Sequence, residues 1–331
     1  MPQTRYRDRR AFFIENERVR VTVLQEGGHI AGILEKSTGV NPLWTPPWPS
    51  IEPSTYDLAR HPEYGSDAES KLLAGIMGHN LCMDVFGPVS AEEAAAGLTV
   101  HGEAPVANYE ISGDQARILM RTQLPNAQLT FERSIRLNGS VLQIDESVEN
   151  LSAADRPIAW TEHVTLGPPF LEKGRTQFRA PVTQSQPLDA EFTTDFGTCT
   201  DAPSSGGYIG CLMDPKREHA FFTAWSPSSE VAVGYLWRTA DFPWLGLWEE
   251  NYSRTQPPWN GKTLTRGMEF GASPMPETRR RMIERGSLFG VPSFRWIGAR
   301  TVAQVRYWAA IERRREPPGA LAISADRVTF T

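Results

Sequence analysis

The sequence predicts an all-β protein, a large antiparallel β-sandwich with a few short helices. Two observations favour this class. Apolar and polar residues alternate with a period of two over most of the chain, which places successive side chains on opposite faces of a sheet. Helix signals are few and local, and Gly, Asn, Asp and Pro separate the strand-like runs. These patterns indicate that strands, rather than helices, form the core.

The alternation predicts strands along the whole chain, in the ranges 18–24, 29–34, 106–111, 116–122, 129–137, 141–148, 158–165, 219–225, 231–237, 245–249, 268–270, 302–309 and 328–330. Asn138 and Gly139 lie between two of these ranges. They predict a two-residue hairpin turn, because both central residues of such a turn must tolerate a positive φ.

Two short helices are expected between the strands. Ser90 and Glu93 have the spacing of a capping box, which predicts a helix over residues 91–96 that ends at Gly97. A second helix is expected between Pro276 and Gly286. Neither helix is long enough to cover a core. No repeat or linker divides the chain, so residues 1–331 are expected to form a single domain.

The composition argues against several classes of partner. The 331 residues carry a net charge of -5, which disfavours nucleic acid. The arginine runs at 279–281 and 313–315 are flanked by glutamates, as on a solvated surface of mixed charge. The apolar runs are far shorter than the roughly 18 residues that indicate a membrane-spanning helix. No apolar stretch near the start resembles a signal-peptide core, so a cytoplasmic location is expected, with no membrane partner.

The three cysteines, Cys82, Cys199 and Cys211, are an odd number and form no Cys-x-x-Cys pair. This spacing argues against a disulfide framework and against a structural zinc site. We therefore expect buried thiols and no metal.

Three residues stand in contexts that suit acid–base chemistry. His101 lies at the end of a short apolar run and is followed by glycine, which permits the close approach of a ligand. His163 lies inside a predicted strand. Glu269 stands between Met268 and Phe270, and apolar surroundings raise the pKa of a carboxyl group and make it a better base near neutral pH. A purely structural role is the alternative for each of the three.

The ten tryptophans are many for a chain of this length. A flat indole suits a sugar, because its face packs against C–H groups while its N–H donates to a hydroxyl. Trp160, Trp248 and Trp259 adjoin the other candidates, so we expect these three near a site and the others in the core.

Several short segments follow one another in a recognisable order. Residues 16–30 contain a strand that ends in Gly-Gly before the next strand begins. Residues 98–102 read Leu-Thr-Val-His-Gly, and His163 is followed closely by Leu-Gly. Residues 243–251, Pro-Trp-Leu-Gly-Leu-Trp-Glu-Glu-Asn, precede the strand that holds Glu269. In this order the chain resembles the aldose 1-epimerase family, whose fold is the galactose mutarotase-like β-sandwich.

The resemblance implies a reaction and a set of catalytic residues. The family interconverts the α and β anomers of a sugar by general acid–base catalysis. Glu269 falls where the family's catalytic glutamate lies and would act as the base, with His163 as the acid and His101 as a hydrogen-bond donor to the sugar. This reaction needs no metal or cofactor. The implied partner is a small-molecule carbohydrate, and a homodimer is one open arrangement.

The resemblance also supplies candidates for substrate binding. The family's usual Asn-Arg pair ahead of the first histidine is not visible, and Gly78-His79-Asn80 occupies that region. The full set of substrate-binding candidates is His79, Asn80, Trp160, Trp248, Glu249 and Trp259.

Two other functions fit the same sequence. The first is a sugar-binding protein of the same fold without turnover, because fold does not determine function. The second is a glycoside hydrolase or lyase, in which Glu249 or Glu250 would work with Glu269. Hydrolases need two carboxyl groups about 5–5.5 Å apart for retention or about 6.5–9.5 Å apart for inversion. Against this alternative, the sequence shows no helical domain of the type that lyases with such a sandwich carry.

Overall fold

A computed structural model describes residues 2–189, 206–325 and 327–331. The first strands in this part of the chain are β1 Gln3–Tyr6, β2 Arg9–Glu15, β3 Val19–Leu24, β4 Ile30–Glu35, β5 His79–Asp84, β6 Glu110–Gly113, β7 Arg117–Leu124, β8 Leu129–Asn138, β9 Val141–Asn150, β10 Arg156–Leu166, β11 Gln177–Arg179 and β12 Val182–Pro187. They are followed by β13 Gly206–Met213, β14 His219–Ser226, β15 Val231–Arg238, β16 Trp244–Asn251, β17 Leu264–Gly271, β18 Ser287–Leu288, β19 Val291–Pro292, β20 Arg295–Ile297, β21 Val302–Arg313, β22 Leu321–Ser324 and β23 Arg327–Phe330.

The described helices are short, as expected. They are α1 Ser70–Gly75, α2 Ala91–Ala95 and α3 Arg279–Arg285, with single 3-10 turns at Pro53–Thr55, Pro62–Tyr64 and Ala104–Val106. The predicted capping box begins α2: Glu93 N donates to Ser90 Oγ at 3.2 Å and Ser90 N donates to Glu93 Oε2 at 2.9 Å. Within the described ranges, no helix has the length and apolar character needed to cross a membrane.

The strands form two large antiparallel sheets. The first has the order β1-β2-β3-β4-β5-β10-β17-β16-β13-β12, and β20 pairs with β10 outside this path. The second has the order β11-β14-β15-β21-β9-β8-β7-β6. The main core lies between these sheets and contains fully buried side chains from both, such as Val21, Trp160, Phe131 and Ile144. Burying one such aliphatic or aromatic side chain contributes about 1.5–3 kcal/mol. The predicted antiparallel β-sandwich with few helices is confirmed.

Some strand predictions need correction. Residues 106–111 do not form one strand, because Ala104–Val106 is a 3-10 turn that contains Pro105 and β6 begins at Glu110. The strands β5 and β13 were missed by the alternation. All six residues of β5 are buried, and six of the eight in β13 are, so neither shows a polar face.

Two local predictions can be compared directly with the structure. The predicted hairpin between β8 and β9 is confirmed, but its turn lies one residue later: Asn138 is the last residue of β8 and pairs with Val141, so Gly139, with a φ of 57°, and Ser140 form the turn. Cys82 and Cys211 are buried free thiols. Cys199 lies outside the described residues.

Candidate active site

One row of residues crosses the first sheet on the face that points away from the main core. Residues directly opposite each other in an antiparallel pair point to the same face. The register pairs Asn80 with His163, His163 with Glu269, Glu269 with Gly246, and Gly246 with Gly210. The pairing of β10 with β17 therefore sets His163 beside Glu269, although more than a hundred residues separate them in sequence.

His163 and Glu269 are in direct contact. His163 Nε2 lies 3.1 Å from Glu269 Oε1, and the side chains are 6% and 2% exposed. On its other side, His163 Nδ1 lies 2.9 Å from Thr165 Oγ1, which fixes the orientation of the ring. Gly267 leaves room for the carboxyl group, because a Cβ at that position would overlap Glu269 Oε1.

His101 reaches the same place from a tight turn. Gly102 N donates to Thr99 O at 3.0 Å, and His101 adopts a left-handed backbone with a φ of 73°. This conformation is uncommon for residues other than glycine and clusters at functional sites. The His101 ring centroid lies 4.9 Å from that of His163, so the two imidazoles are neighbours.

The hydrogen bond of His101 determines which ring nitrogen faces the site as an acceptor. Nδ1 lies 2.6 Å from Phe86 O, and a carbonyl oxygen can only accept, so Nδ1 carries the proton. Burial lowers the pKa of His101 to about 4, which leaves the ring neutral near pH 7 with a lone pair on Nε2. This corrects the expectation of a hydrogen-bond donor, because the neutral ring presents an acceptor at Nε2.

Burial also governs the pair formed by Glu269 and His163. It raises the pKa of Glu269 well above its usual value and lowers the pKa of His163 well below its usual value. Both shifts favour the uncharged forms of the two side chains. Met268 and Phe270 do not cause this burial, since both belong to the main core on the opposite face of β17.

A cavity of about 520 Å³ opens in front of these three residues, within the roughly 300–1,000 Å³ typical of small-molecule sites. Trp248 and Trp259 form part of its wall, with ring centroids 6.1 Å apart and planes at 76°. Trp259 stacks in turn on Trp44, which holds it in place. The two indoles thus lie where the sequence predicted them, beside the acid–base residues.

Arg254 and Tyr208 are among the cavity residues that were not predicted from the sequence. Arg254 follows β16, and its guanidinium lies 4.6 Å from the ring centroid of Trp259. Tyr208 lies over Gly246, where a Cβ would overlap its hydroxyl, and donates to Pro274 O at 3.1 Å. A signal existed for each: Arg254 belongs to a loop beside the site, and Tyr208 alternates with glycines in a strand.

Two predicted substrate-binding residues face the main core instead of the cavity. His79 Nε2 lies 2.8 Å from Glu162 Oε2, and Trp160 Nε1 donates to Glu146 Oε2 at 3.1 Å. Both side chains are fully buried. The predictions for His79 and Trp160 are therefore wrong, because strand alternation points them away from the face that carries His163.

Asn80 and Glu249 lie close to the site without offering polar groups to it. Asn80 faces the same side as His163 but is fully buried and does not line the cavity. Glu249 borders the cavity, and its carboxylate lies 3.5 Å from Arg266 Nε in a buried pair. This geometry does not favour a direct contact between a sugar and the side chain of Asn80 or Glu249. No group of three potential metal ligands occurs within the described ranges.

A comparison of the sequence with protein families gives a match over residues 90–257, just over half of the chain. The family is described as a domain of unknown function, DUF4432. The chain belongs to the DUF4432 family. The matched segment of this DUF4432 protein contains both site histidines and Arg254, whereas Glu269 and Trp259 follow it. A comparison with curated proteins gives no significant match.

Solved structures share the fold of this DUF4432 protein at low sequence identity. A protein from Klebsiella pneumoniae, provisionally described as an aldose 1-epimerase, has a TM-score of 0.71 and 15% identity over 93% of this chain and 80% of that chain. A galactose mutarotase-like protein from Clostridium acetobutylicum has a TM-score of 0.62 and 14% identity over 94% and 98%. A galactose mutarotase related enzyme from Lactobacillus acidophilus has a TM-score of 0.59 and 14% identity over 93% and 99%. The fold is the galactose mutarotase-like sandwich that the sequence resemblance implied.

Proposed function

We propose that this DUF4432 protein is a carbohydrate mutarotase that interconverts the α and β anomers of a sugar. The observation that carries the proposal is the contact between Glu269 and His163 in the wall of the cavity, with Oε1 and Nε2 3.1 Å apart. The neighbouring His101 and the indole wall support it. The proposal takes a small-molecule carbohydrate as the partner and the cytoplasm as the location, with residues 1–331 acting as one domain.

The chemistry of ring opening matches this pair. A base must take the proton of the anomeric hydroxyl while an acid protonates the ring oxygen, and both oxygens are bonded to the same carbon. Two side-chain atoms in contact suit two such closely spaced oxygens. One member of the pair acts as the acid and gives a proton to the ring oxygen, and the other acts as the base and takes the anomeric proton.

The proton count of the pair is unchanged by the step. One proton leaves for the ring oxygen and one arrives from the anomeric hydroxyl, while the C1–O bond of the ring breaks and a C1=O double bond forms. Rotation about C1–C2 and the reverse transfer then give the other anomer. His101 Nε2 accepts a hydrogen bond from a sugar hydroxyl and so orients the ring. Acid–base assistance of this kind contributes about 10²- to 10⁴-fold in rate.

The carboxyl groups of the preceding strand do not supply the second acid of a glycoside hydrolase. Glu249 is paired with Arg266. The carboxylate of Glu250 accepts hydrogen bonds from the backbone and hydroxyl of Ser253 and from Arg254 N. Both are thus engaged as anions in structural contacts, which favours mutarotation over hydrolysis.

The test is anomer equilibration, followed by polarimetry and by NMR, on freshly dissolved pure α anomers of several aldohexoses and aldopentoses. The wild-type protein should accelerate equilibration of at least one sugar. Glu269→Gln should lose about 10²- to 10⁴-fold of that rate. The matched control is Glu149→Gln, because Glu149 is exposed on β9 in the other sheet, and its rate should be unchanged.

Two results would count against the proposal. Sugar binding without acceleration would favour a non-catalytic sugar-binding protein. A Glu269→Gln variant with the wild-type rate would remove the pair from the mechanism.

A further inference from the structure

The charges around the cavity bear on which sugars it accepts. Among the described residues that line it, the carboxyl groups belong to Glu69, Asp189, Glu249, Glu250 and Glu269, whereas Arg254 is the one guanidinium beside the two histidines already described. Glu269 is in contact with His163 and its burial favours the uncharged carboxyl group, and Glu249 is paired with Arg266, so neither is counted as a net negative charge. Glu69, Asp189 and Glu250 remain against Arg254, which leaves an excess of negative charge.

Arg254 is already shared between two carboxylates. Its Nη1 lies 3.4 Å from Glu69 Oε1, and its Nε lies 3.4 Å from Glu250 Oε2. We call Glu69, Glu250 and Arg254 the mouth cluster. An anion that approached Arg254 would also meet both of these carboxylates, and their repulsion opposes the attraction of a single guanidinium.

The same groups suit a neutral polyol. Carboxylate oxygens accept from sugar hydroxyls, and the N–H groups of a guanidinium donate to them. The indoles of Trp248 and Trp259 add apolar surface for the C–H face of a ring. Glu69 and Arg254 therefore each have a hydrogen-bonding role toward an uncharged sugar, and Glu250 adds a negative charge beside them.

We propose, in an inference that rests on the proposed function, that the substrate is an uncharged sugar. The mouth cluster then discriminates against phosphorylated and other anionic sugars. Arg254 is then a residue that binds sugar hydroxyls, and Glu69 is a specificity residue. In the wild-type protein, the neutral sugar should exceed its 6-phosphate in kcat/KM by at least about tenfold, as expected for one unfavourable charge contact.

The experiment measures anomer equilibration of a neutral aldohexose and of its 6-phosphate at pH 8. Burial raises the pKa of Glu69, so a lower pH would weaken the contrast. The preference for the neutral sugar should shrink as salt is raised from about 0.05 to 0.5 M, because ions screen the repulsion. The salt series uses the wild-type protein, so it stands even if a variant fails to fold.

Variants separate the two roles within the mouth cluster. Glu69→Gln should reduce the discrimination several-fold by removing one negative charge. Arg254→Gln should raise KM for the neutral sugar and leave the 6-phosphate a poor substrate. Glu17→Gln is the control. It removes a carboxylate that is 78% exposed and distant in sequence from the cavity residues, so it should leave the discrimination unchanged.

Three outcomes would overturn the inference. The 6-phosphate could be the better substrate, with Arg254→Gln abolishing that activity, which would make Arg254 an anion site. Both sugars could react equally at every salt concentration. If no sugar is equilibrated, the proposed function fails, and saturation-transfer NMR then decides: binding of the neutral sugar alone supports the charge selection, and any other binding result refutes it.

Discussion

Strand β10 carries two histidine–glutamate pairs on its opposite faces. His163 and Glu269 form the outward pair, 3.1 Å apart at the cavity. Glu162, the residue before His163, joins His79 in the inward pair, 2.8 Å apart between the sheets. The two pairs use the same residue types at adjacent positions of one strand. They differ in what surrounds the carboxyl group.

The inward pair is embedded in donors and has no access to a ligand. Arg133 Nη2, His79 Nε2 and the hydroxyl of Tyr307 all lie 2.8 Å from Glu162 Oε2. Arg133 also binds Glu146 through Nε at 2.6 Å. Among the described residues, no guanidinium contacts the outward pair, which faces a cavity. The two pairs therefore differ in their surroundings: a buried guanidinium holds the inward carboxylate, whereas the outward pair is open to a ligand.

Exchanging the histidine in each pair gives the largest expected contrast. His163→Gln should lower the rate of anomer equilibration by about 10²- to 10⁴-fold, because the pair loses its second proton site. His79→Gln should leave the rate within a few-fold and lower the free energy of unfolding by about 1–3 kcal/mol, because Glu162 loses a buried donor. Equilibration assays and urea unfolding on both variants measure this contrast. Loss of activity in the His79 variant alone would reverse the assignment of the two pairs.

Removing the cation tests the inward pair more severely. Arg133→Leu leaves the Glu162 carboxylate buried without its guanidinium, and breaking such a buried pair costs about 3–5 kcal/mol of unfolding free energy. The control is Arg121→Leu, which breaks a pair with Glu132 that is 55% and 53% exposed and should cost no more than about 1 kcal/mol. Urea denaturation decides. An equal loss of unfolding free energy in the two variants would mean that the buried pair of Arg133 stabilises the fold no more than an exposed pair does.

The inward network should also make stability depend on pH. Burial raises the pKa of Glu146 to about 8 from the ordinary 4.5, so between these values the folded state holds a proton that the unfolded state has lost. Stability should therefore fall as pH rises through this window, by up to about 1.4 kcal/mol per pH unit. Glu146→Gln cannot lose the proton and should remove this contribution.

The measurement is urea unfolding of both proteins between pH 6.5 and 8. Histidines whose pKa is lowered by burial contribute an opposite slope below pH 6.5, and that range is avoided. Parallel pH profiles for wild type and Glu146→Gln would show that Glu146 is ionised in the native state.

A smaller perturbation tests the outward pair without removing either member. In Gly267→Ala the new Cβ would overlap Glu269 Oε1 and force the carboxyl group to turn away from His163. A misplacement of this kind should cost about tenfold in rate. Gly32→Ala is the control, since its Cβ would meet Asn41 at an ordinary 3.4 Å. An unchanged rate in Gly267→Ala would mean that the pair tolerates displacement.

Much of the fold was predictable because many strands have one polar face. The alternation located β7, β8 and β9, whose buried and exposed residues alternate. It failed for β5, which is buried on both faces and carries no period-two signal. Chain order and residue type indicated His101, His163 and Glu269. Their contact depends on the register of β10 against β17, which involves long-range pairing that local sequence does not specify.

The wrong site predictions have a simple geometric cause. Trp160 was chosen for its proximity to His163 in sequence, yet positions three apart in a strand face opposite sides. His79 lies opposite Val164, a core residue, so the two side chains point to the same face of the sheet. Arg254 reaches the cavity through the conformation of a loop, which alternation does not predict.

The adjacency of Glu162 and His163 has a consequence for how the protein folds. If β10 shifted by one position against its neighbours, each side chain would move to the opposite surface, with the imidazole sealed inside and the carboxylate left in the pocket. In a chain with this shifted register, Arg133 would also lose its ion pair with Glu162. The buried ion cluster around Arg133 thus favours the correct register of β10. In doing so it also fixes the position of His163, which it does not contact.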